Sequence, residues 1–306
     1  MSQALLLLPD FALIAIGYLI CRHTPLDRTV WDGVERLVYY LLFPALLFGA
    51  IVRHPLALGD AWPLATASAV ITGTGIVLAF ALRAWPGVPA GQHAAGSQVA
   101  FRFNSYVALA VAERVAGAPG LAAIALVIAL AVPMVNLAAV WSLARQGGQG
   151  FARELLRNPL ILATVSGLAF NLAGLSLPDM AVATLQRIGG AALPLGLMAV
   201  GAGLRLGALQ DAPRLAGALL GIRHVLLPLV ALACVFTLGL PPVHQAVMVL
   251  FAGLPTAPSA YVLATRMGGQ GSYVAGLVTV STLLGMLSLP LALMGLSALA
   301  APGGWR

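Results

Sequence analysis

The segment Gly253-Leu254-Pro255-Thr256-Ala257-Pro258-Ser259-Ala260-Tyr261 sets two prolines three residues apart inside an apolar run that extends from 243 to 265. Each proline removes a backbone N–H, and its ring clashes with the carbonyl four residues back, so regular helix is not expected there. In a membrane, a kink of this kind is either satisfied by neighbouring helices or opened to line a wet cavity. Which medium surrounds the segment is therefore the first question.

Composition answers it. Of the 306 residues, 60% are hydrophobic and only 8% are charged, against about 25% charged in an ordinary soluble domain, and the mean hydropathy is +0.98. A helix crossing the roughly 30 Å hydrocarbon layer needs about 20 apolar residues. Runs bounded by Arg, Pro and Gly give spans at 5–21, 37–52, 61–84, 97–113, 119–143, 159–175, 189–205, 214–240, 243–265 and 273–299. The expectation is an all-α integral membrane protein of ten transmembrane helices. The segment from Leu5 to Cys21 lacks the basic n-region and cleavage site of a signal peptide and reads as the first membrane helix.

The pI of about 10.2 does not point to nucleic acid, which requires basic residues gathered on one solvated face. All 16 basic residues are arginine and are scattered between apolar segments, so they read as a topology signal. Arg22, Arg28, Arg36, Arg83, Arg145, Arg153, Arg157, Arg205, Arg214 and Arg266 fall in odd-numbered connections, but only Arg53, Arg114 and Arg187 in even ones. Arginine is retained in the cytoplasm, which sets the odd connections there and both termini outside, as expected of a multi-pass protein of a bacterial inner membrane. Cys21 and Cys234 lie inside apolar stretches and read as inert buried thiols.

An internal repeat orders the spans. Pro25 and Pro178 each open a short amphipathic stretch, Arg36 and Arg187 precede helices two and seven, and Pro44 and Pro194 lie within them. Tyr106 and Tyr261 follow in Ser-Tyr-Val and Ala-Tyr-Val, then Pro133 and Pro290 in helices five and ten. The five landmarks keep one order at separations of 150 to 157 residues. This predicts two five-helix halves, 1–148 and 149–306. An odd number of spans inverts the second relative to the first, the 5+5 inverted-repeat arrangement in which paired interrupted helices mark a binding site.

Helix nine is one such interruption, and helix four is its counterpart: Val99-Ala100-Phe101 leads into Arg102, Phe103, Asn104 and Ser105 before Tyr106 resumes the apolar run. Either Arg102 snorkels to head groups at a helix end, or the stretch is unwound and its polar groups line a wet cavity. If both helices break near the midplane, each offers a half-helix N-terminus of positive partial charge, suited to a carboxylate.

Tyr40-Leu41-Leu42-Phe43-Pro44-Ala45-Leu46-Leu47-Phe48, the Phe101-Arg102-Phe103-Asn104 stretch, Asn158-Pro159, the Gly253 to Tyr261 segment and Thr282 to Pro290 together resemble the auxin efflux carrier family of prokaryotic permeases, over essentially the whole chain. The resemblance implies crossed, broken helices four and nine. It implies a scaffold of helices one, two, six and seven, against which helices three to five and eight to ten move like an elevator. It also implies organic anions such as auxin, malate or malonate as substrates. Asn104, Pro255 and Pro258 map to the crossing, with Ser105, Tyr106, Thr256, Ser259 and Tyr261 beside them. One departure is that helix four has no proline at its break; Asn104 and Ser105 are left to disrupt the helix by bonding to backbone.

Further polar groups lie within spans. Arg223 and His224 sit about a third of the way along helix eight; Arg223 either serves substrate or gate, or bonds opened carbonyls, and His224 is either a hydrogen-bonded interior histidine or a proton carrier. Asn136 and Asn171 are expected to bond across helices, Asn136 standing near Pro133 as a further site candidate. Thr279, Ser281 and Thr282 either donate to a substrate or ion or bond their own helix carbonyls. Asp10, in the first turns of helix one, suits the helix dipole. Gly73, Gly75, Gly196, Gly201 and Gly203 read as close helix packing.

The sequence thus predicts a carrier of a small organic anion in a lipid bilayer, with candidate binding residues Arg102, Asn104, Ser105, Tyr106, Asn136, Arg223, Pro255, Thr256, Pro258, Ser259, Tyr261 and Thr282. It needs no cofactor, leaves coupling to protons or sodium open, and leaves room for a homodimer. A sodium-coupled symporter of the bile acid carrier type and a non-transporting sensor are the alternatives. The chain has no His-Glu-x-x-His, no Gly-x-Ser-x-Gly and no paired membrane aspartates, so an enzyme is not expected.

Overall fold

The computed structural model describes residues 3–53, 58–144, 159–204 and 212–299, and all regular structure among them is helical. Helix α1 is Gln3–His23. Helix α2, Arg28–Leu37, continues through a π-turn, Val38–Leu42, into α3, Phe43–Arg53. The amphipathic stretch opened by Pro25 thus runs into the second span without a break. Asp27 starts α2 because its carboxylate accepts from the Thr29 and Val30 amides at 2.9 and 3.3 Å, satisfying donors that the first turn cannot.

Helix α4 is Leu58–Ala81 and α5 is Ala90–Gly96, extended by a 3₁₀ turn, Ser97–Ala100. Helix α6, Ser105–Ala144, has two limbs meeting at Gly117, whose φ of +60° is open to glycine and strained for other residues. The rest are α7, Pro159–Leu172, α8, Asp179–Gly190, α9, Ala192–Ala202, α10, Pro213–Gly221, and α11, Leu227–Thr237, with the π-turn Ile222–Leu226 between the last two. Three more close the chain: α12, Pro242–Gly253, α13, Ser259–Arg266, and α14, Gly271–Leu299.

Among the described residues five helical segments are long and apolar enough to cross a membrane: Trp62–Ala84, Ala90–Leu143, Asp179–Ala202, Pro213–Thr237 and Gly271–Leu299. Arg145, Arg153, Arg157 and Arg205, which carry part of the orientation count, lie outside the described residues, as does Asn158.

Two sets of helices pack among themselves. In one, α1 lies along α9, and α3 lies between α7 and α8. The α1–α9 approach is so close that a Cβ on Gly17 would stand 2.0 Å from the Met198 carbonyl oxygen, and one on Gly201 1.8 Å from that of Ile14. The α3–α7 contact is fixed by Asn171, whose amide donates to the Ile51 carbonyl at 3.0 Å, the packing role its sequence position suggested. The second set gathers α4, α6 and α10 to α14 around α12, which packs on α6, α11 and α14. The sets meet where Phe43 of α3 stacks on Tyr106 of α6, with ring centroids 4.7 Å apart.

Of the other glycines, Gly196 abuts the Phe43 ring and Gly75 abuts Leu227 and Phe101. Gly73 has nothing within 4 Å of where its Cβ would be. Among the described residues its helix face meets no neighbour there, so it is not a packing glycine among them.

Candidate functional site

The chain leaves helical geometry twice inside the second set. After the Ala100 end of the 3₁₀ turn, residues 101–104 are unwound before α6 begins at Ser105; after Gly253, residues 254–258 are unwound before α13 begins at Ser259. The first break lies mid-helix, because α5 and its 3₁₀ extension precede it. Phe101 to Asn104 are all buried, so Arg102 does not snorkel from a helix end.

The breaks cross and fasten each other. The Asn104 amide N–H donates to the Pro255 carbonyl at 2.8 Å, and Thr256 Oγ1 donates to the Val99 carbonyl at 2.7 Å. Asn104 supplies the interruption without a proline. Its side-chain Oδ1 accepts from the Tyr106 and Val107 amides at 3.0 and 3.3 Å, an N-cap that starts α6 afresh. Thr256 is held from the other side by Ser281, whose Oγ accepts from the Thr256 amide at 2.9 Å. Ser281 in turn lies 2.9 Å from His224 Nε2, whose Nδ1 lies 2.8 Å from Ser288 Oγ. His224 is thus an interior histidine bonded on both ring nitrogens.

Arg223 is 1% exposed and is committed to backbone. Its Nε donates to the Leu254 carbonyl at 2.6 Å and its Nη2 to that of Phe251 at 2.8 Å. These are carbonyls that the end of α12 leaves without helical partners, and a guanidinium also complements the negative end of the helix dipole.

Beside the crossing lies a cavity of about 320 Å³. Arg102, Asn104, Ser105, Tyr106, Asn136, Pro258, Ser259 and Tyr261 line it, eight of the residues singled out from sequence. Arg102 donates to Gln98 Oε1 at 3.2 Å, to the Ser259 carbonyl at 3.4 Å and to Asn136 Oδ1. It thereby ties the two breaks to the second limb of α6, and Asn136 belongs to the cavity wall. Asn104, 1% exposed, keeps its Nδ2 donor buried without a partner among the described residues.

Four of the singled-out residues are not in the wall. Pro255 and Thr256 hold the crossing together, Arg223 faces the end of α12, and Thr282 donates to the Val278 carbonyl of its own helix at 2.9 Å. Thr279 likewise donates to Ala275 at 3.0 Å. Conversely, Arg28, Glu35 and Tyr39 close the cavity from the first set of helices. Arg28 Nε lies 2.9 Å from Asp32 Oδ1 and its Nη2 2.8 Å from Glu35 Oε1, while Nη1 is buried without a partner among the described residues. The signal for them was the helical spacing of Arg28, Asp32 and Glu35, which places three charges along one side of α2.

A family model described as "Membrane transport protein" matches residues 143–293. Over nearly its full length the chain is also similar to two transporter-named proteins. One is the "Putative malonate transporter" of Rhizobium meliloti (strain 1021), 28% identical over 93% of this chain and 92% of the relative. This chain is similar to the membrane transport proteins of the auxin efflux carrier family. The other relative, an "Uncharacterized transporter" of Methanothermobacter thermautotrophicus, is 27% identical over 91% of this carrier and 93% of its own length. The carrier is therefore a multi-pass membrane protein with a small-molecule substrate, a transporter and not an enzyme. Cys21 and Cys234 are free thiols in it, the second buried.

Proposed function

We propose that this carrier moves a small organic anion bearing a carboxylate, bound in the cavity beside the crossing. The observation that carries the reading is the donor set around that space: the Arg102 guanidinium, Arg28 with a free Nη1, and the unpartnered Nδ2 of Asn104. Helices α6 and α13 both start at the cavity, with Ser105 and Ser259 in its wall, and helix N-termini favour anions. A buried donor without a partner costs about 1–3 kcal/mol, a cost that a ligand oxygen would remove. The name of the Rhizobium meliloti relative, "Putative malonate transporter", is in keeping with a carboxylate.

On this reading the chain forms ten spans in two inverted halves, 1–148 and 149–306, with both termini outside the cytoplasm. The set containing α1, α2, α3, α7, α8 and α9 is the scaffold, and the second set is the unit that moves like an elevator. Support comes from the reciprocal packing of α1 on α9 and α3 on α7, and from the paired breaks. Sodium coupling is the weaker reading. The carbonyls opened at the breaks, those of Val99, Phe251, Leu254 and Pro255, already accept from Thr256, Arg223 and Asn104, whereas a sodium site needs such oxygens.

The test is a set of carboxylates, malonate and malate among them, screened for thermal stabilisation of the detergent-purified carrier and then for uptake into proteoliposomes with and without sodium. Stabilisation and sodium-indifferent uptake of at least one carboxylate is expected. Stabilisation without transport would mark a sensor, and the absence of any carboxylate effect would defeat the anion reading.

A further inference from the structure

Glu35 is the one carboxylate among the described residues that line the cavity, and Arg28 and Arg102 are the two cations. The wall therefore sums to one positive charge with Glu35 ionised and to two with it protonated. Glu35 also occupies the Nη2 edge of Arg28, at 2.8 Å, and Asp32 holds Nε. The Nη1 donor stays buried beside Gly203, where a Cβ would come within 3.2 Å of it. A carboxylate recognises arginine best through two parallel N–H groups. The pair open to one here is Nη1 with Nη2, and Nη2 is taken by Glu35. A ligand carboxylate and the Glu35 carboxylate thus compete for one edge of one guanidinium.

Resting on the anion-carrier reading above, we propose that a substrate carboxylate takes Arg28 from Glu35, and that Glu35 takes up one proton from the adjoining water as it is released. The charges balance: the anion brings one negative charge to Arg28, and the proton cancels the one left on Glu35. Six other titratable or charged groups share this neighbourhood. Arg28 and Asp32 stand on its own helix, Tyr39 one turn on, Arg102 and Tyr106 across from it at the start of α6, and Tyr261 on α13. Burial pushes the Glu35 carboxyl above the usual carboxylate range, the Arg28 charge and hydrogen bond pull it back down, and Asp32 adds a smaller upward push. Removing Arg28 from it takes away the influences that hold the carboxyl down and leaves burial and Asp32, which favour the proton. The bound state therefore holds the proton to higher pH than the free state. Affinity is greatest below the free-state pKa and falls, by at most about tenfold per pH unit, as pH rises towards the bound-state pKa.

The experiment is calorimetric titration of the purified carrier with malonate in two buffers of unequal ionisation heat, which counts protons taken up per anion bound. The wild type is expected to take up about one more proton than Glu35→Gln, whose affinity is expected to lose the pH slope. Arg28→Gln serves as the second variant, expected to bind malonate more weakly and without the extra proton. Asp32→Asn, outside the cavity wall, is expected to keep it. Equal proton uptake in wild type and a folded Glu35→Gln or Arg28→Gln overturns the inference while leaving the anion reading intact. Failure of the wild type to bind malonate or any other carboxylate overturns both.

Discussion

Arg223 offers the sharpest separation between a guanidinium that serves the fold and one that serves a ligand. Replacing it with Met keeps the length and the apolar stem but leaves the Leu254 and Phe251 carbonyls without the donors now 2.6 and 2.8 Å away. Hydrogen bonds to charged groups contribute about 1.5–3 kcal/mol each in soluble proteins. Interhelical bonds in membranes average nearer 0.6 kcal/mol, because the unfolded chain in lipid finds other partners. Two charged bonds at a helix end, between these limits, give a loss of about 2–4 kcal/mol. At about 2–4 °C per kcal/mol for a chain somewhat shorter than this one, the melting temperature in detergent should fall by roughly 5–15 °C. Arg223→Lys retains the charge but not the fork and should lose about half as much. Since Arg223 is not in the cavity wall, the Lys variant should bind malonate like the wild type. A Lys variant that melts normally but no longer binds carboxylate would refute this assignment, placing the guanidinium on the ligand.

Asn104→Ala removes both the α6 cap and the unpartnered Nδ2, so a stability loss of about 1 kcal/mol should accompany a fall in carboxylate affinity of about tenfold or more, read by thermal shift and calorimetry. Asn104→Asp keeps the capping oxygen but sets a carboxylate in the wall; it should melt closer to wild type than the alanine variant yet bind the anion less well. Gly201→Ala drives a methyl into the Ile14 carbonyl and should cost about 1–3 kcal/mol or more through forced separation of α1 and α9, whereas Gly73→Ala, with open space around it, should leave the melting temperature unchanged. Thr282→Val removes a hydroxyl bonded within its own helix and should leave carboxylate binding intact, while Thr256→Val severs the bond to Val99 and should lower stability.

The break in helix nine was legible because proline is covalently unable to continue a helix, so Pro255 and Pro258 declare the interruption in any context. The break in helix four was legible only as a polar interlude. Part of its cause is local, the Asn104 side chain capping α6, but the rest is the Asn104 amide reaching Pro255, a contact between opposite halves of the chain. Arg102 and Arg223 looked alike in sequence, each a cation inside an apolar run. What separates them is which backbone groups the fold brings near, and hydropathy carries no such information. Arg28 and Glu35 were hidden for the opposite reason. On an amphipathic stretch before a membrane span, charges are expected to face water or head groups, and nothing local says that this stretch leans over a cavity.

The two buried arginines also bear on the proposal that the cavity takes an anion in preference to a neutral solute. Arg223 lies at the C-terminal, negative end of α12, where its charge is complemented by the peptide dipoles and two carbonyls accept from it. Arg102 lies at the N-terminal, positive ends of α6 and α13, bonded to the neutral acceptors Gln98, Ser259 and Asn136. There the dipoles of both helices oppose its charge. A cation held among positive dipole ends in a membrane is expensive, and the free donors of Asn104 and Arg28 beside it add to the same sign. Glu35 offsets one positive charge from across the cavity. An entering carboxylate would relieve the rest, which makes a strongly bound anion the state in which this arrangement of like-signed groups is electrostatically complete.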